Sequence, residues 1–409
     1  MREFRHACSY SLIGIGKNDG SIVGATWSAL EKRCCQEIDA VLKILFAIKS
    51  MNSVGGGAER VLSEVVSGLT ERGHHVSVLS YDEPNGKSFY PLDSSIGRIE
   101  LGIGRVEKRS TLLEMVKRFF FLRRKIVENR PDIVVGFMHS MFVPLGIALV
   151  GTGIPVIASE HIGVEHYKYH PFEYLLLQAT PYFTKNTVVI SEKLRQDFNG
   201  RLKKHMTVIS NPISFAKGVD KSTLDSCTSR KVILSVGRLV FQKDHKTLID
   251  AYAKLADEYP EWDLKIFGDG ELRVELEAQI EKLKLQGRIQ LSGTIPNVEE
   301  EFMRAQIFVV PSLYESFGLA TAEALVSGLP VVGFADCPGT NELIKHDQNG
   351  ILVSGSNRVN ALADGMRDLM SSSELRKRFG DAGPDSMAVF SKEKICSKWE
   401  ELLKKWVEV

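Results

Sequence analysis

Two glutamates, Glu315 and Glu323, stand eight positions apart in PSLYESFGLATAEAL, residues 311–325, with Gly318 and a run of small residues between them. Ionised carboxylates only accept hydrogen bonds, so a pair of them straddling the start of a helix suits the hydroxyl groups of a sugar or a ribose. Glu323 would take a vicinal diol, and Glu315, in the loop, a neighbouring hydroxyl. Ala320, Ala322, Ala324 and Leu325 make this helix apolar nearly all round, which implies burial. A buried carboxylate without a partner is costly, so Glu323 needs one. The exposed N–H groups of Gly318 and Leu319 at the helix start suit phosphate or sugar oxygens. The competing account makes Glu315 a capping acid and Glu323 a solvated helix residue.

Two further groups have the chemistry of phosphate binding. In VGRLVFQKD, Arg238 and Lys243 follow an apolar run by a few residues. A guanidinium fork and an ammonium point charge fit a diphosphate, or else form a solvated surface pair. In SMNSVGGGAERVL, Gly55, Gly56 and Gly57 precede a helical pattern. Glycines there let backbone N–H groups approach an anion, where the helix dipole also favours negative charge. The spacing is neither G-x-G-x-x-G nor a P-loop, and an ordinary strand-to-helix turn is the alternative.

The elements that must position these residues are legible from Leu42 onward. Short apolar runs, LKILFAI (42–48), HVSVLSY (75–81), DIVVGFM (132–138), PVIASE (155–160) and NTVVIS (186–191), alternate with amphipathic segments. Strands buried on both faces read this way, and helical crossovers imply a parallel sheet. A second series comprises KVILSVGR (231–238), DLKIFGDG (263–270), RIQLSG (288–293), QIFVVPS (306–312), LPVVGF (329–334) and GILV (350–353). The expected organisation is α/β with two doubly wound domains, 42–211 and 231–390, a Ser-, Lys- and Asp-rich linker at 212–230, and a terminal amphipathic helix at 391–409. Ligands of such sheets lie beyond the carboxyl ends of the strands. Residues 1–41 have no useful periodicity and no signal-peptide pattern, and are expected to be a poorly ordered extension of the kind that a start codon placed too far upstream would produce.

At 409 residues two domains are the natural count, and 44% hydrophobic with 25% charged residues is ordinary globular composition. The net charge of +1 gives no reason to expect nucleic acid. Six cysteines show neither C-x-x-C nor ligand spacing, which argues against zinc and against a disulfide framework and fits a reducing compartment. No apolar run is long enough to span a membrane.

The second series, with SVGRL, QKD, GDG and E-S-F-G-L-A-T-A-E, resembles the retaining glycosyltransferases of family 4, over about residues 42–409 and most strongly over 231–340. The resemblance implies the GT-B architecture of two facing Rossmann-like domains and a nucleotide diphosphate sugar, with uridine the commonest base, as donor. It implies that Arg238 and Lys243 bind the diphosphate and neutralise it as it leaves, that Glu323 binds the ribose, and that Glu315 binds the donor sugar. Gly55, Gly56 and Gly57 would face the phosphates from the opposite domain, with the base read by backbone around Gly293 to Pro296. His139, in VVGFMHSM, matches a polar residue beside the sugar, with a core histidine or helix cap as the alternative. Glu160 and His161 are a weaker strand-end pair, for acceptor contact or equally for structural hydrogen bonding. No cofactor and no metal are implied, and no D-x-D motif asks for one.

Residues 105–130 contain nine Lys or Arg, three Glu and the aromatic run Phe119 to Phe121. Lys117, Arg118, Arg123, Arg124 and Lys125 on such a helix suit an anionic membrane surface or a lipid pyrophosphate; an ordinary crossover helix with solvated cations is the alternative. Similar family members extend saccharides on undecaprenyl diphosphate. The expected enzyme therefore adds a hexose or N-acetylhexosamine to a lipid-linked glycan in surface-polysaccharide assembly, as a cytoplasmic protein at the inner face of the cell membrane. The rivals are a nucleotide-sugar epimerase of the same architecture and a non-catalytic sugar-nucleotide-binding partner.

Overall fold

Runs of Ile, Val and Phe with no polar alternation become strands buried on both faces, and most crossovers between them are helical. In a computed structural model, which describes residues 41–52, 56–103, 112–198, 200–214, 230–295 and 298–407, the first series forms β1 (Lys43–Ala47), β2 (His75–Ser80), β3 (Gly97–Glu100), β4 (Ile133–Phe137), β5 (Val156–Glu160), β6 (Asn186–Val189) and β7 (Met206–Val208). They pair in parallel in the order β3-β2-β1-β4-β5-β6-β7. The order reverses between β1 and β4, where Ile44 lies beside both Val76 and Ile133. A crevice must open at that switch point, beyond the strands' carboxyl ends.

The crossover helices cover this sheet. In α1 (Gly57–Glu71), Val61, Leu62, Val65, Val66 and Leu69 are buried at helical spacing, while Glu64 and Glu71 lie on the other face. The basic helix α2 (Leu112–Asn129) packs through Leu122 and Ile126. The apolar α3 (His139–Ala148) and the short α4 (Pro171–Gln178) follow β4 and β5.

The second sheet comprises β8 (Lys231–Val236), β9 (Trp262–Phe267), β10 (Ile289–Leu291), β11 (Ile307–Val310), β12 (Val331–Phe334) and β13 (Gly350–Val353), all parallel, in the order β10-β9-β8-β11-β12-β13. Its switch point lies between β8 and β11, whose register sets Ile307 against Ile233. The helix α5 (Leu319–Val326) follows β11. The last helix, α6 (Lys392–Val407), returns to the first sheet: Trp399 packs with its ring 6.3 Å from those of Phe46 and Phe137. Ile395, Leu402 and Leu403 are buried alongside it. A second apolar cluster joins Phe142, Tyr167 and Val189 of the first half to Phe308, Phe317 and Leu325 of the second, and residues Leu42–Val409 form one compact unit.

The two Rossmann-like sheets are those expected from the sequence, with two additions. The edge strands β3 (GRIE) and β7 (MTV) carry too few apolar residues to register as runs, and each is held by backbone pairing to a single neighbour. Residues 1–40, Gly55, 104–111, most of the linker at 215–229, and Pro296 lie outside the described residues.

Candidate active site

The loop after β8 is pinned by backbone bonds to the loop after β9: Gly237 N–H donates to the Phe267 carbonyl at 2.9 Å and Leu239 N–H to that of Asp269 at 2.9 Å. Gly268 permits this approach, since its φ of +144° is open to glycine and a Cβ there would run into the Gly237 carbonyl. The loop thus buries Leu239 and leaves Arg238 exposed, with no ion pair or side-chain hydrogen bond among the described residues. Lys243 ends the following 3-10 turn. Its Nζ lies 2.5 Å from Glu315 Oε1, an oxygen that also accepts from Ser312 Oγ at 2.7 Å. Glu315 is therefore held in the loop by Lys243, and any anion drawn to that ammonium competes with its carboxylate.

Glu323 has the partner its burial demands, and the first half supplies it. Arg60, in the first turns of α1, places Nη1 3.0 Å from Glu323 Oε1 and Nη2 3.3 Å from Glu299 Oε1. Burial pushes the Glu323 carboxyl up to about 7; Arg60 pulls it down, and the neighbouring Glu299 and Glu64 push it up again. The N-termini of α1 and α5 meet at this point. Gly318 caps α5 with a φ of +88°, a value suited to glycine. Across the gap, a Cβ on Gly57 would lie 3.1 Å from Leu319 Cδ1. The structure thus brings Gly56, Gly57, Gly318, Leu319 and Glu323 to one place, with Arg238, Lys243 and Glu315 at the adjoining switch point. Arg60 was missed in the sequence; its place three residues after the glycine run was the available signal.

On the first-half rim, Met138 takes φ +65°, a region that costs a non-glycine residue about 1–3 kcal/mol. This sharp exit from β4 sets His139 at the start of α3. His139 Nδ1 lies 2.9 Å from the Tyr167 hydroxyl, and Nε2 lies 3.1 Å from Glu173 Oε2. Tyr167 donates to Glu160 Oε2 at 2.7 Å, while Glu160 Oε1 accepts from the N–H groups of His161 and Ile162. Glu160 is wholly buried, and burial pushes its carboxyl up to about 7. His161 stacks on Phe137 with centroids 4.8 Å apart, its Nε2 lies 3.0 Å from Ser159 Oγ, and burial pushes its pKa down to about 4. Of the two expected readings of Glu160 and His161, these bonds match the structural one: Glu160 is buried and His161 is half-buried against Phe137. Tyr167 and Glu173 gave no signal in the sequence.

The chain is similar to known proteins along most of its length. The family described as "Glycosyltransferase Family 4" matches residues 55–217, and that described as "Glycosyl transferases group 1" matches residues 218–386. The chain belongs to glycosyltransferase family 4. An uncharacterised glycosyltransferase of Haemophilus influenzae is 26% identical over 367 residues, covering 88% of this chain and 99% of the other. The same identity over 367 residues relates this transferase to the GalNAc-alpha-(1->4)-GalNAc-alpha-(1->3)-diNAcBac-PP-undecaprenol alpha-1,4-N-acetyl-D-galactosaminyltransferase of Campylobacter jejuni, covering 89% and 98% of the two chains. The S. aureus TarM structure, solved with UDP, superposes with a TM-score of 0.75 at 14% identity, covering 89% of this chain and 100% of that one, and has the same GT-B fold.

The transferase's basic helix α2 is partly structural. Arg118 Nε donates to the Ile103 carbonyl at 3.2 Å and its guanidinium lies over the Tyr81 ring at 4.7 Å. Arg123 donates to the carbonyls of Ala148 and Val150. Those two are corrected from surface cations to packing cations. Arg124 and Lys125 pair with Glu128, Lys117 is exposed, and Phe120 and Phe121 are 64% and 44% exposed on the same helix. No helix among the described residues is long and apolar enough to cross a membrane.

Proposed function

We propose that this glycosyltransferase moves a hexose or N-acetylhexosamine, with retention of anomeric configuration, from a uridine diphosphate sugar to a saccharide carried on undecaprenyl diphosphate. The observation that carries this reading is the meeting of the α1 and α5 N-termini across one gap, Gly57 against Leu319, beside the cations Arg238 and Lys243. The Campylobacter relative's undecaprenol-linked substrate and the UDP bound to TarM support the acceptor and the base.

In this reading the bond between the anomeric carbon and the diphosphate oxygen breaks through an oxocarbenium-like state, and the electron pair goes to the diphosphate. Arg238 meets that charge with a guanidinium fork, Lys243 with a point charge, and the two helix starts with N–H groups already aimed at it. No metal is needed at the leaving group. Lys243 exchanges the Glu315 carboxylate for a phosphate oxygen, which frees Glu315 for the sugar's hydroxyl groups. Glu323 accepts from the ribose diol. The acceptor hydroxyl attacks from the face the diphosphate leaves, and a diphosphate oxygen takes its proton. His139, with both ring nitrogens engaged by Tyr167 and Glu173, lines the acceptor side and is not the base. The exposed face of α2, with Phe120, Phe121, Lys117 and Arg124, rests on the anionic inner face of the membrane.

A labelled panel of UDP sugars with an undecaprenyl diphosphate-linked saccharide tests the reading. Label entering the lipid phase, with an α-anomer made from an α-linked donor, supports it. An isomerised nucleotide sugar formed without acceptor, or an inverted product, would contradict it.

A further inference from the structure

Three side chains on the first-half rim present metal-ligand atoms to one another. His139 Nε2 and His166 Nε2 each lie 3.1 Å from the same oxygen, Glu173 Oε2, and all three atoms lie within 4.8 Å of one another. They come from separate elements: His139 opens α3, Glu173 lies in the first turn of α4, and His166 belongs to the short helix between β5 and α4.

Hydrogen bonds orient the first of these ligands. Tyr167 has one hydroxyl proton, and the buried Glu160 carboxylate takes it at 2.7 Å. The Tyr167 hydroxyl also lies 2.9 Å from His139 Nδ1, and a proton on that nitrogen would leave Nε2 as the ring's lone-pair atom. With that tautomer the His139 Nε2 lone pair faces Glu173 Oε2, and either a proton or a metal ion can be the positive centre that joins them. His166 Nε2 faces the same oxygen. A metal ion bonded to all three atoms supplies that centre. Around zinc, with bonds of about 2.0–2.1 Å, tetrahedral ligand atoms lie about 3.3 Å apart. Two of the three edges already have that length. The third, between the two imidazoles, is no longer than 4.8 Å, and His166, with its side chain 36% exposed, is the more accessible of the two.

We propose that His139, His166 and Glu173 bind one divalent transition-metal ion, zinc by ligand type, with at least one coordination position open to water or to an oxygen of the acceptor. Two imidazoles and one carboxylate are a borderline donor set that favours zinc over magnesium or calcium. The chain from Nδ1 through Tyr167 to Glu160 is the outer shell that fixes a ligating histidine's tautomer and ring orientation. His170 stacks on His166 with centroids 4.3 Å apart and flanks the open side. This ion lies on the acceptor rim, apart from the cations assigned to the diphosphate, and does not depend on that assignment.

The test is titration of the chelator-stripped full-length protein with Co2+, read by visible d–d absorption, and with Zn2+, read by calorimetry. The expected result is one site with tetrahedral cobalt absorption. His166→Ala and Glu173→Gln abolish the absorption, and Tyr167→Phe weakens affinity about 10- to 100-fold. The UDP-induced rise in unfolding midpoint, retained in His166→Ala, shows that the variant is folded and that the donor site stands whatever becomes of the metal. No cobalt absorption in the parent protein, or absorption unchanged in both ligand variants, would overturn the proposal; the second result would place the metal on other residues, such as the cysteines.

Discussion

Arg60 and Glu323 are coupled tightly enough to be read through pH. Since burial raises the Glu323 carboxyl from 4.5 to about 7, the folded chain holds that proton more tightly than the unfolded chain. Its contribution to stability is full below pH 4.5 and is lost as pH rises through about 7. The unfolding midpoint of Glu323→Gln, measured against the parent, should therefore shift in the variant's favour as pH rises across that window. Donor affinity should move the other way. An ionised carboxylate accepts both ribose hydroxyls, so affinity for a UDP sugar, whose phosphates stay ionised throughout, tightens through pH 7, and the dependence vanishes in Glu323→Gln. A flat profile in the parent would separate Glu323 from the ribose. Arg60→Ala leaves Glu323 buried without its guanidinium and should lower stability by about 2 kcal/mol, less than for a fully enclosed pair because Arg60 is 20% exposed; denaturant unfolding checks this. The need for a partner at Glu323 was legible, because an apolar helix announces burial. The identity of the partner was not, because Arg60 lies on the other sheet's helix and no local pattern links residues 60 and 323. His139 was visible as a strand-end polar residue; its bonds to Tyr167 and Glu173 depend on a tertiary turn through Met138 that no propensity encodes.

Among the elements, α2 divides its cations by what they touch. Arg118 and Arg123 satisfy main-chain carbonyls, whereas Phe120, Phe121, Lys117 and Arg124 face outward. Phe120→Ser with Phe121→Ser should weaken sedimentation with phosphatidylglycerol vesicles about tenfold or more, since each ring contributes up to about 1.5–3 kcal/mol when buried. The unfolding midpoint should not move. Arg123→Glu should instead lower the midpoint. Equal vesicle binding by the parent and the double variant would leave α2 an ordinary crossover helix. The sequence shows the composition of this helix but not which cations turn inward, because that depends on where the carbonyls at the end of α3 lie. For strands the limit was length: β1, β4, β8 and β11 are continuous apolar runs, whereas β3 and β7 are short edge segments stabilised by a neighbour and not by their own pattern.

At the scale of the whole molecule, the starts of α1 and α5 meet, Gly57 against Leu319 and Arg60 against Glu323, and α6 returns to the first sheet. Trp399 is the keystone of that return, packed between Phe46 and Phe137. Trp399→Ala should lower stability by about 3–5 kcal/mol, as for other buried large-to-small changes, measured by urea unfolding. The most direct test of the central claim, a donor nucleotide held between the two halves, is thermal unfolding with UDP, GDP, ADP and their sugars for the parent, Arg238→Ala and Glu323→Ala. Among the described residues Arg238 makes no ion pair or side-chain hydrogen bond that its loss would disturb, so its variant reports chiefly on the ligand. The account predicts that uridine nucleotides raise the parent's midpoint, equivalent to about 2.7 kcal/mol at a hundredfold excess over Kd, and that both variants lose most of that shift. An undiminished shift in both variants, or none with any nucleotide in the parent, would contradict it.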